Sequence, residues 1–355
     1  MKRSGKSMFK ALMLAGILLL SLLFQQAAMA SDDSLTLTFV GDISIGDAIQ
    51  YREAKSGYHE VVRKNGAEWP FSLVADVLNA DDLTIANLEG TMTRSRRHKD
   101  IRYPLVIDPA HTQILLSGGI DAVNTANNHA MDFFTQGYRD TLAALDDAGI
   151  AHFGTISPGA STGFDRQLIA EVKGVRIGLI GFTYPQESDV KHIKASAAAL
   201  REKGCSLIIL SLHWGRETHM KPNAAQYAFA RKALALDIDL IYGHHPHVIQ
   251  PIALYQGKPV FFSTGNFTFG TMSNVDPSTG MFQAVYDLSG ETPRLSALRV
   301  LPCVTGEKGD YRPIPVTDEA GRRNIFSKLY LHKPSHGFEA LPESFLLTGE
   351  AAFDD

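Results

Sequence analysis

The sequence has little cysteine and no excess of basic charge, and each shortage excludes a class of protein. Only Cys205 and Cys303 occur in 355 residues, which excludes a disulfide framework and a cysteine-based structural zinc site. The two could pair outside the cytoplasm, although burial is the commoner fate of an isolated cysteine. Lys and Arg number 34 against 38 Asp and Glu, for a formal net charge of −4. An acidic chain repels the phosphate backbone, so nucleic acid is not an expected partner.

Long apolar runs are also missing, except in the first thirty residues. Lys2, Arg3, Lys6 and Lys10 accompany an apolar segment at 11–24, and Ala28-Met29-Ala30 follows it. This order is typical of a secretory signal peptide at 1–30 that is cleaved after Ala30. The apolar segment is shorter than the about 20 residues that a membrane span needs, and an uncleaved anchor is the alternative. We therefore expect a secreted protein, periplasmic or extracellular, whose mature chain has a net charge of −8 because four basic residues leave with the peptide.

Short apolar runs alternate with amphipathic helical stretches over the rest of the chain, which indicates a layered α/β fold. The predicted strands are 35–40, 83–88, 122–125, 175–182, 207–212, 240–242 and 259–262, and further strands are expected within 283–301. The predicted helices are 71–78, 136–148, 223–236 and 319–330. Internal repeats and low-complexity linkers are absent from the sequence. We expect one domain at 31–340, followed by a short tail at 341–355.

Six polar residues come directly after predicted strands: Asp42, Glu89, Asn128, His213, His245 and His247. Ligand sites of open α/β sheets lie at the carboxyl ends of the strands, so these side chains should converge. Oxygen and nitrogen ligands without thiolate suit Mn, Fe or Zn, and one or two such ions are predicted. Glu89 would bridge them, Asp42 and His247 would complete one ion, and Asn128, His213 and His245 the other.

Each of these residues alone also has a structural explanation. Asp42 can be a turn residue, Glu89 an exposed acid and His213 a core histidine. The turn that contains three histidines, Gly243-His244-His245-Pro246-His247, is harder to explain without a ligand role.

A catalytic acid is predicted beside the ligands. His129 follows Asn128 and could protonate a leaving group, with Asp132 orienting its imidazole. The alternative for Asp132 is an acid in the first turn of a helix, where the helix dipole favours it.

A basic run stands out in this acidic chain: Arg94, Arg96, Arg97, His98, Lys99 and Arg102. A solvated loop is the default explanation. Its position just after Glu89 also allows it to guide a polyanion, and Arg97 is predicted to bind substrate.

Six segments in chain order carry a resemblance to a known family. They are Gly41-Asp42, Ala86-Asn87-Leu88-Glu89, Ala126-Asn127-Asn128-His129-Ala130-Met131-Asp132, His213-Trp214-Gly215-Arg216-Glu217, Gly243 to His247, and Ser263-Thr264-Gly265-Asn266-Phe267. Together they resemble the CapA family of poly-γ-glutamate capsule synthesis proteins, in the calcineurin-like metallophosphoesterase superfamily. The resemblance implies a four-layer α/β/β/α sandwich with two mixed β-sheets, placement outside the cytoplasm, and work on an anionic polymer.

The resemblance also implies residues on the substrate side. Asn87, Glu217 and Asn266 are expected there, and Gln226 is expected to line the pocket. Ser44 stands where the superfamily usually has a histidine, which implies that one ion is held more loosely than the other.

Two functions remain open from the sequence. One is a metal-dependent hydrolase for a phosphoester or for an amide of the polymer. The alternative is a non-catalytic, polyanion-handling component of an envelope polymer-synthesis complex at the membrane. A ligand-binding module with a structural metal is a weaker third possibility.

Overall fold

The computed structural model describes residues 33–156, 165–270, 275–330, 336–339, 341 and 346–348. The predicted signal peptide lies outside these residues, as does most of the predicted tail, and both stay predictions. The strands are β1 (Ser34–Ser44), β2 (Asp47–Ala48), β3 (Leu83–Leu88), β4 (Thr91–Met92), β5 (Leu105–Ile107), β6 (Ala122–Asn124), β7 (Ala151–Thr155), β8 (Asp165–Arg166), β9 (Leu168–Val172), β10 (Val175–Thr183), β11 (Leu207–His213), β12 (Leu240–His244), β13 (Ile249–Tyr255), β14 (Lys258–Thr264), β15 (Asn266–Phe269), β16 (Ser278–Asp287), β17 (Arg294–Thr305), β18 (Pro313–Pro315) and β19 (Leu346–Thr348). The α-helices are α1 (Tyr58–Asn65), α2 (Ala75–Leu78), α3 (Thr112–Ser117), α4 (Phe134–Ala148), α5 (Val190–Glu202), α6 (Ala224–Leu234) and α7 (Glu319–Leu329).

The main sheet is mixed and runs in the order β13-β14-β12-β11-β10-β7-β6-β3-β1-β16-β17-β18. Its central strands are parallel, and β16, β17 and β13 are antiparallel to their neighbours. Strand β7 pairs with β6 on one side and with β10 on the other. The two predicted sheets are therefore the halves of one hydrogen-bonded sheet that is continuous through β7. A separate three-stranded sheet contains β2, β5 and β4.

Three large apolar cores separate the layers in the described part of the chain. The halves of the sheet face each other across a shared core, in which the rings of Phe39 in β1 and Tyr242 in β12 lie 5.0 Å apart. A second core packs the first half against α1, α3 and α4, and a third packs the second half against α5 and α6. Helices therefore cover both outer faces, as the predicted four-layer α/β fold requires.

Alternation along the strands explains why both faces are buried. In β11, Leu207 and Ile209 point into the shared core, whereas Ile208 and Leu210 point towards the helices. Successive side chains of a strand point to opposite faces, so a continuous apolar run suits a strand that is covered on both sides.

Strand β1 places Asp42 by a close backbone approach. A Cβ on Gly41 would lie 2.3 Å from the carbonyl oxygen of Gly265, so only glycine fits there. The Asp42 amide donates a hydrogen bond to that same oxygen at 2.8 Å. The register between β1 and β3 shifts between Phe39 and Asp42, which re-aims the end of the strand.

Helix ends follow local sequence signals. Helix α4 is capped by Gly149, whose φ of 71° is the left-handed conformation in which glycine commonly ends a helix. Helix α6 begins with a capping box in which Asn223 and Gln226 bond each other's backbone amides. Gln226 also donates to Gln250, so its visible role is structural. Of the helix predicted at 71–78, only the single turn α2 at Ala75–Leu78 forms, and Phe71 instead ends a 3₁₀ turn at Trp69–Phe71.

One further sequence expectation, the state of the two cysteines, has an outcome in the fold. Cys205 and Cys303 are both free and buried. Among the described residues, no helix combines the length and apolarity needed to cross a membrane.

Candidate metal centre

The strand ends that carry the predicted ligands meet at one edge of the sheet. In the register of the sheet, Asp42 pairs with Asn87 of β3 and with Asn266 of β15. His213, the last residue of β11, pairs with His244, the last residue of β12. Parallel strands bring their carboxyl ends to the same edge, so residues far apart in sequence become neighbours.

Asp42, Glu89 and His213 form a fully buried ligand group. One possible ligand atom from each lies within 4.8 Å of the others. His213 Nε2 is 4.0 Å from Glu89 Oε1, which is longer than a hydrogen bond. Separations of this size leave space for a cation that all three groups contact.

Several of the predicted ligands have buried polar atoms that are unsatisfied. Both carboxylate oxygens of Glu89, Asn128 Oδ1, His213 Nε2 and His245 Nδ1 are buried without a hydrogen-bond partner in the described part of the chain. Buried polar atoms are normally paired, and leaving them unpaired is costly. Oxygen and imidazole acceptors are the ligands that a divalent transition metal prefers. The residues present therefore fit the predicted cation.

The electrostatic cost of burying an unpaired carboxylate is clearest at Glu89. Burial raises its pKa well above the usual value, and the nearby charges of Asp42, Glu217 and Asp132 raise it further. A carboxylate in this position needs positive charge beside it, which a bound cation would supply.

Asp42 is held as a carboxylate by its neighbours. Asn87 Nδ2 donates to Oδ1 at 2.8 Å, the backbone amide of His245 donates to Oδ2 at 3.2 Å, and His244 Nδ1 lies 3.0 Å from Oδ1. Burial acts to raise the pKa of Asp42, but the imidazoles of His244 and His247 and the side-chain amide of Asn87 outweigh it and lower the pKa.

Two histidines at the centre, His213 and His245, are kept neutral. Burial, and then the neighbouring imidazoles of His245, His244 and His247, hold the pKa of His213 well below its usual value. Burial and His247 lower the pKa of His245 to about 4. A neutral imidazole is the form that binds a metal, so the site favours the ligand state.

His129 and Asp132 lie together beside the buried group. His129 Nδ1 is 2.7 Å from Asp132 Oδ2, and His129 Nε2 is 3.8 Å from Glu89 Oε1. Both residues lie in turns before α4, which begins at Phe134. Asp132 is therefore not in the first turn of that helix, and its contact with His129 replaces the helix-dipole explanation.

The residues predicted on the substrate side occupy different places. Asn87 and Asn266 are both buried. Asn87 donates a hydrogen bond to Asp42, and Asn266 Oδ1 lies 2.9 Å from His247 Nδ1. Arg97 is exposed, and its guanidinium stacks 5.1 Å from the ring centre of Phe134. Glu217 is exposed, with a possible ligand atom within 4.8 Å of those of His245 and His247. Substrate contact by these four residues stays a prediction.

Two neighbours of the centre were not predicted. His244 contacts Asp42, and the only feature of the sequence that indicates a role for His244 is its place in the three-histidine turn. Tyr184 places its hydroxyl 3.1 Å from His245 Nε2 and its ring edge-on to His245. Tyr184 directly follows β10, so it lies at the same edge of the sheet as the candidate ligands and could have been predicted from its position after a strand.

The fold and this ligand set define an α/β protein with a candidate centre for divalent cations. Residues 36–271 match the model of the family described as "Bacterial capsule synthesis protein PGA_cap". The match spans most of the chain, and this protein therefore belongs to the bacterial capsule synthesis protein family. The family resemblance carried by the six sequence segments is confirmed.

Individual proteins are similar to this chain over most of its length. "PGA biosynthesis protein CapA" of Bacillus subtilis (strain 168) is 29% identical over 291 residues, which cover 76% of this chain and 73% of the relative. "Capsule biosynthesis protein CapA" of Bacillus anthracis is 26% identical over 320 residues, covering 84% and 73%. Among solved structures, a 5'-nucleotidase precursor from Thermus thermophilus is 15% identical with a TM-score of 0.47, covering 83% of this chain and 58% of that one.

Proposed function

We propose that this protein is an extracytoplasmic, metal-dependent hydrolase that acts in the synthesis, export or trimming of a capsule or of poly-γ-glutamate. The observation that carries the hydrolase assignment is the Glu89 carboxylate, which is fully buried and without a hydrogen-bond partner in the described chain. The imidazoles of His129, His213 and His247 approach its Oε1 at 3.8, 4.0 and 3.8 Å. The polymer is supported by the family and by the names of the two Bacillus relatives.

The buried ligand group holds the cation in this proposal. Asp42, Glu89 and His213 provide two carboxylates and one imidazole, and the buried, unpartnered Oδ1 of Asn128, the residue before His129, is a further candidate acceptor. A divalent Mn, Fe or Zn ion bound there supplies Lewis acidity that polarises the scissile ester or amide and activates water. The protein contributes neutral imidazoles, a carboxylate held by Asn87, and an enclosure that excludes bulk water.

His129 is the group that delivers a proton. Its Nδ1 is fixed by Asp132, so Nε2 is directed towards the Glu89 side of the site. His129 is partly exposed, with 18% of its side chain accessible, whereas Glu89 is sealed. His129 can therefore reach a substrate and donate a proton to the leaving oxygen or nitrogen.

A polyanion-handling role is the second candidate, and one surface feature favours it. A cleft of about 870 Å³ is lined by Arg52, Arg63, Arg94 and Arg96, together with His59, Glu53 and Glu60. Arg63 is paired with Glu60 at 2.7 Å, but Arg94 and Arg96 have no ion-pair partner within the described ranges. A concave surface with unpaired guanidinium groups attracts a chain of carboxylates or phosphates.

Turnover assays separate the two candidates. The purified mature protein is supplied with Mn²⁺ and tested on phosphomonoesters, phosphodiesters and poly-γ-glutamate. The hydrolase assignment expects turnover by the wild type, loss of turnover in His129→Ala with metal content unchanged, and normal activity in His192→Ala, a matched histidine on α5. A metal-loaded wild type that binds polyglutamate but turns over no member of the panel would instead support the handling role.

The extracytoplasmic placement has its own test. When the full chain is expressed in a bacterium with its own leader, the mature protein should appear outside the cytoplasm with Ser31 as its first residue. Amino-terminal sequencing and fractionation check this, and an intact Met1 terminus in the cytoplasm would contradict it.

A further inference from the structure

Tyr184 occupies a position that the fold does not explain. The residue is 42% exposed and belongs to none of the apolar cores of the described chain. Its φ of 42° is left-handed, a conformation that residues with a Cβ rarely adopt. Strained conformations persist where the surrounding structure imposes them, and they cluster at functional sites. An exposed and strained aromatic residue beside the candidate ligands is therefore a candidate for a functional role.

Two hydrogen bonds hold the backbone of Tyr184 in this conformation. Its amide donates to the carbonyl oxygen of His213 at 2.8 Å, and its own carbonyl oxygen accepts from Gln186 Nε2 at 2.8 Å. In the register of the sheet, the preceding residue Thr183 pairs with His213. The position of Tyr184 is thus fixed relative to β11, the strand that ends in a predicted ligand.

The ring of Tyr184 packs against two of the candidate histidines. It lies edge-on to His245, with ring centres 5.0 Å apart and an interplanar angle of 86°, and edge-on to His213 at 6.2 Å. The rings of His213 and His245 are themselves 4.8 Å apart. Edge-to-face contacts between aromatic rings are stabilising, so the three rings form one packed cluster. Tyr184 is the exposed member of this cluster and limits how far the imidazole of His245 can turn.

The hydroxyl of Tyr184 bears on which nitrogen of His245 carries a proton. It lies 3.1 Å from His245 Nε2, whereas His245 Nδ1 is buried and without a hydrogen-bond partner in the described structure. A neutral imidazole carries one proton, on one of its two nitrogens. A proton on Nδ1 would be a buried donor without an acceptor, which is costly, whereas a proton on Nε2 can be donated to the Tyr184 oxygen. The contact therefore favours the tautomer that is protonated at Nε2.

We propose that Tyr184 is a positioning residue, whose hydroxyl accepts the Nε2 proton of His245 and so leaves the Nδ1 lone pair available to the metal centre. This inference rests on the proposed metal centre and adds to it a residue that was not predicted from the sequence. Histidines that bind metals usually donate their second ring N–H to an outer partner, which fixes both the tautomer and the direction of the ring. Tyr184 supplies that partner for His245.

The first test determines the tautomer of His245 in the metal-free protein. Two-bond ¹H–¹⁵N spectra of histidine-labelled protein at neutral pH distinguish the two tautomers, and the His245 signal is the one that His245→Gln removes. The wild type should show His245 protonated at Nε2. Tyr184→Phe keeps the ring but removes the hydroxyl, so His245 should become a mixture of both tautomers. Tyr51→Phe, at a tyrosine of similar exposure (43%) outside the centre, is the matched control and should behave as the wild type.

The second test measures metal binding in the same three proteins. Mn²⁺ is titrated by calorimetry into chelator-treated wild type, Tyr184→Phe and Tyr51→Phe. Loss of the outer partner of a ligating histidine typically weakens metal affinity by 10–100-fold, so Tyr184→Phe should bind Mn²⁺ at least about tenfold more weakly. Tyr51→Phe should bind Mn²⁺ as the wild type does. Because Tyr184 is exposed and its ring is retained, the variant should fold normally, which circular dichroism checks.

The outcomes distinguish the role of Tyr184 from the proposed function. If the wild type binds no Mn²⁺, the metal centre itself is wrong, while the metal-free spectra still test the contact with His245. If wild-type His245 is protonated at Nδ1, or if Tyr184→Phe leaves its tautomer unchanged, the positioning role is overturned. A changed tautomer with unaltered Mn²⁺ affinity would overturn the link to the metal centre. Equal weakening of Mn²⁺ binding in Tyr51→Phe would also overturn the proposal.

Discussion

The imidazole of His129 is fixed by the carboxylate of Asp132, with Nδ1 and Oδ2 2.7 Å apart. That same oxygen accepts a hydrogen bond from the backbone amide of Leu105 at 2.9 Å, and the Asp132 side chain is 1% exposed. A buried carboxylate held by the backbone cannot turn away, so it fixes both the tautomer and the direction of the imidazole.

Asp132→Asn should therefore impair turnover without removing the cation. An amide stabilises a protonated imidazole less well than a carboxylate does, so the rate should fall by about 100-fold. Steady-state kinetics and metal analysis of the same preparation check this. Asp147→Asn, which changes an exposed acid on α4, is the control. Equal rates in the two variants would exclude Asp132 as the residue that orients His129.

Glu89→Gln should have opposite effects on stability in the absence and in the presence of metal. Without metal the wild type buries a carboxylate that no donor compensates, so in chelator the variant should be more stable by about 1–2 kcal/mol at pH 8. With excess Mn²⁺ the wild type should gain stability and the variant should not. Denaturant unfolding with and without Mn²⁺ measures both effects, and Glu291→Gln serves as an exposed control. An equal Mn²⁺ effect on wild type and Glu89→Gln would exclude Glu89 as a ligand.

Asp81 should make stability depend on pH. Burial raises its pKa from 3.8 to about 7, although the Thr84 hydroxyl donates to it at 2.8 Å, and Asp121 adds repulsion. Between these two values the folded state binds more protons than the unfolded state, so stability falls as pH rises through this window. Asp81→Asn should be more stable than the wild type by about 1–2 kcal/mol at pH 8 and nearly equal to it at pH 4.

Unfolding in denaturant at several pH values checks the Asp81 effect. Asp76→Asn, an exposed acid on α2, should leave the pH dependence of the wild type in place. A pH dependence that survives unchanged in Asp81→Asn would show that other groups cause it.

The basic cleft should bind polyanions in a salt-dependent manner. Changing Arg94 and Arg96 together to Glu should weaken binding of poly-γ-glutamate by at least tenfold at low ionic strength, because two attractive charges become repulsive. Arg139→Glu, an exposed arginine on α4, is the control, and Arg97→Glu tests the substrate contact predicted from the sequence. Fluorescence anisotropy of labelled polymer at two salt concentrations gives the measurement. Unaltered affinity in the double variant would exclude the cleft as the binding surface.

The α/β class and the convergence of most candidate ligands at one sheet edge follow from the sequence alone. Apolar runs mark strands such as β3, predicted at 83–88 and found at Leu83–Leu88. Parallel strands end at a common edge, so the polar residues that follow them converge whatever the details of packing. Asp42, Glu89 and His213 could be predicted for this reason. Local signals also sufficed where one residue controls the backbone, as at Gly149.

The side-chain directions of those residues, and the contacts between them, depend on the folded molecule. The sequence contains no orientation for the imidazoles of the histidine turn, because positive φ angles at His245 and His247 set their directions. It could not show that His244 contacts Asp42, or that Glu217 joins His245 and His247, since both relationships cross between separate strands and loops. The continuity of the sheet through β7 depends likewise on long-range packing. Periodicity encodes which face of an element is buried, whereas the atoms that meet across elements are set by the folded chain.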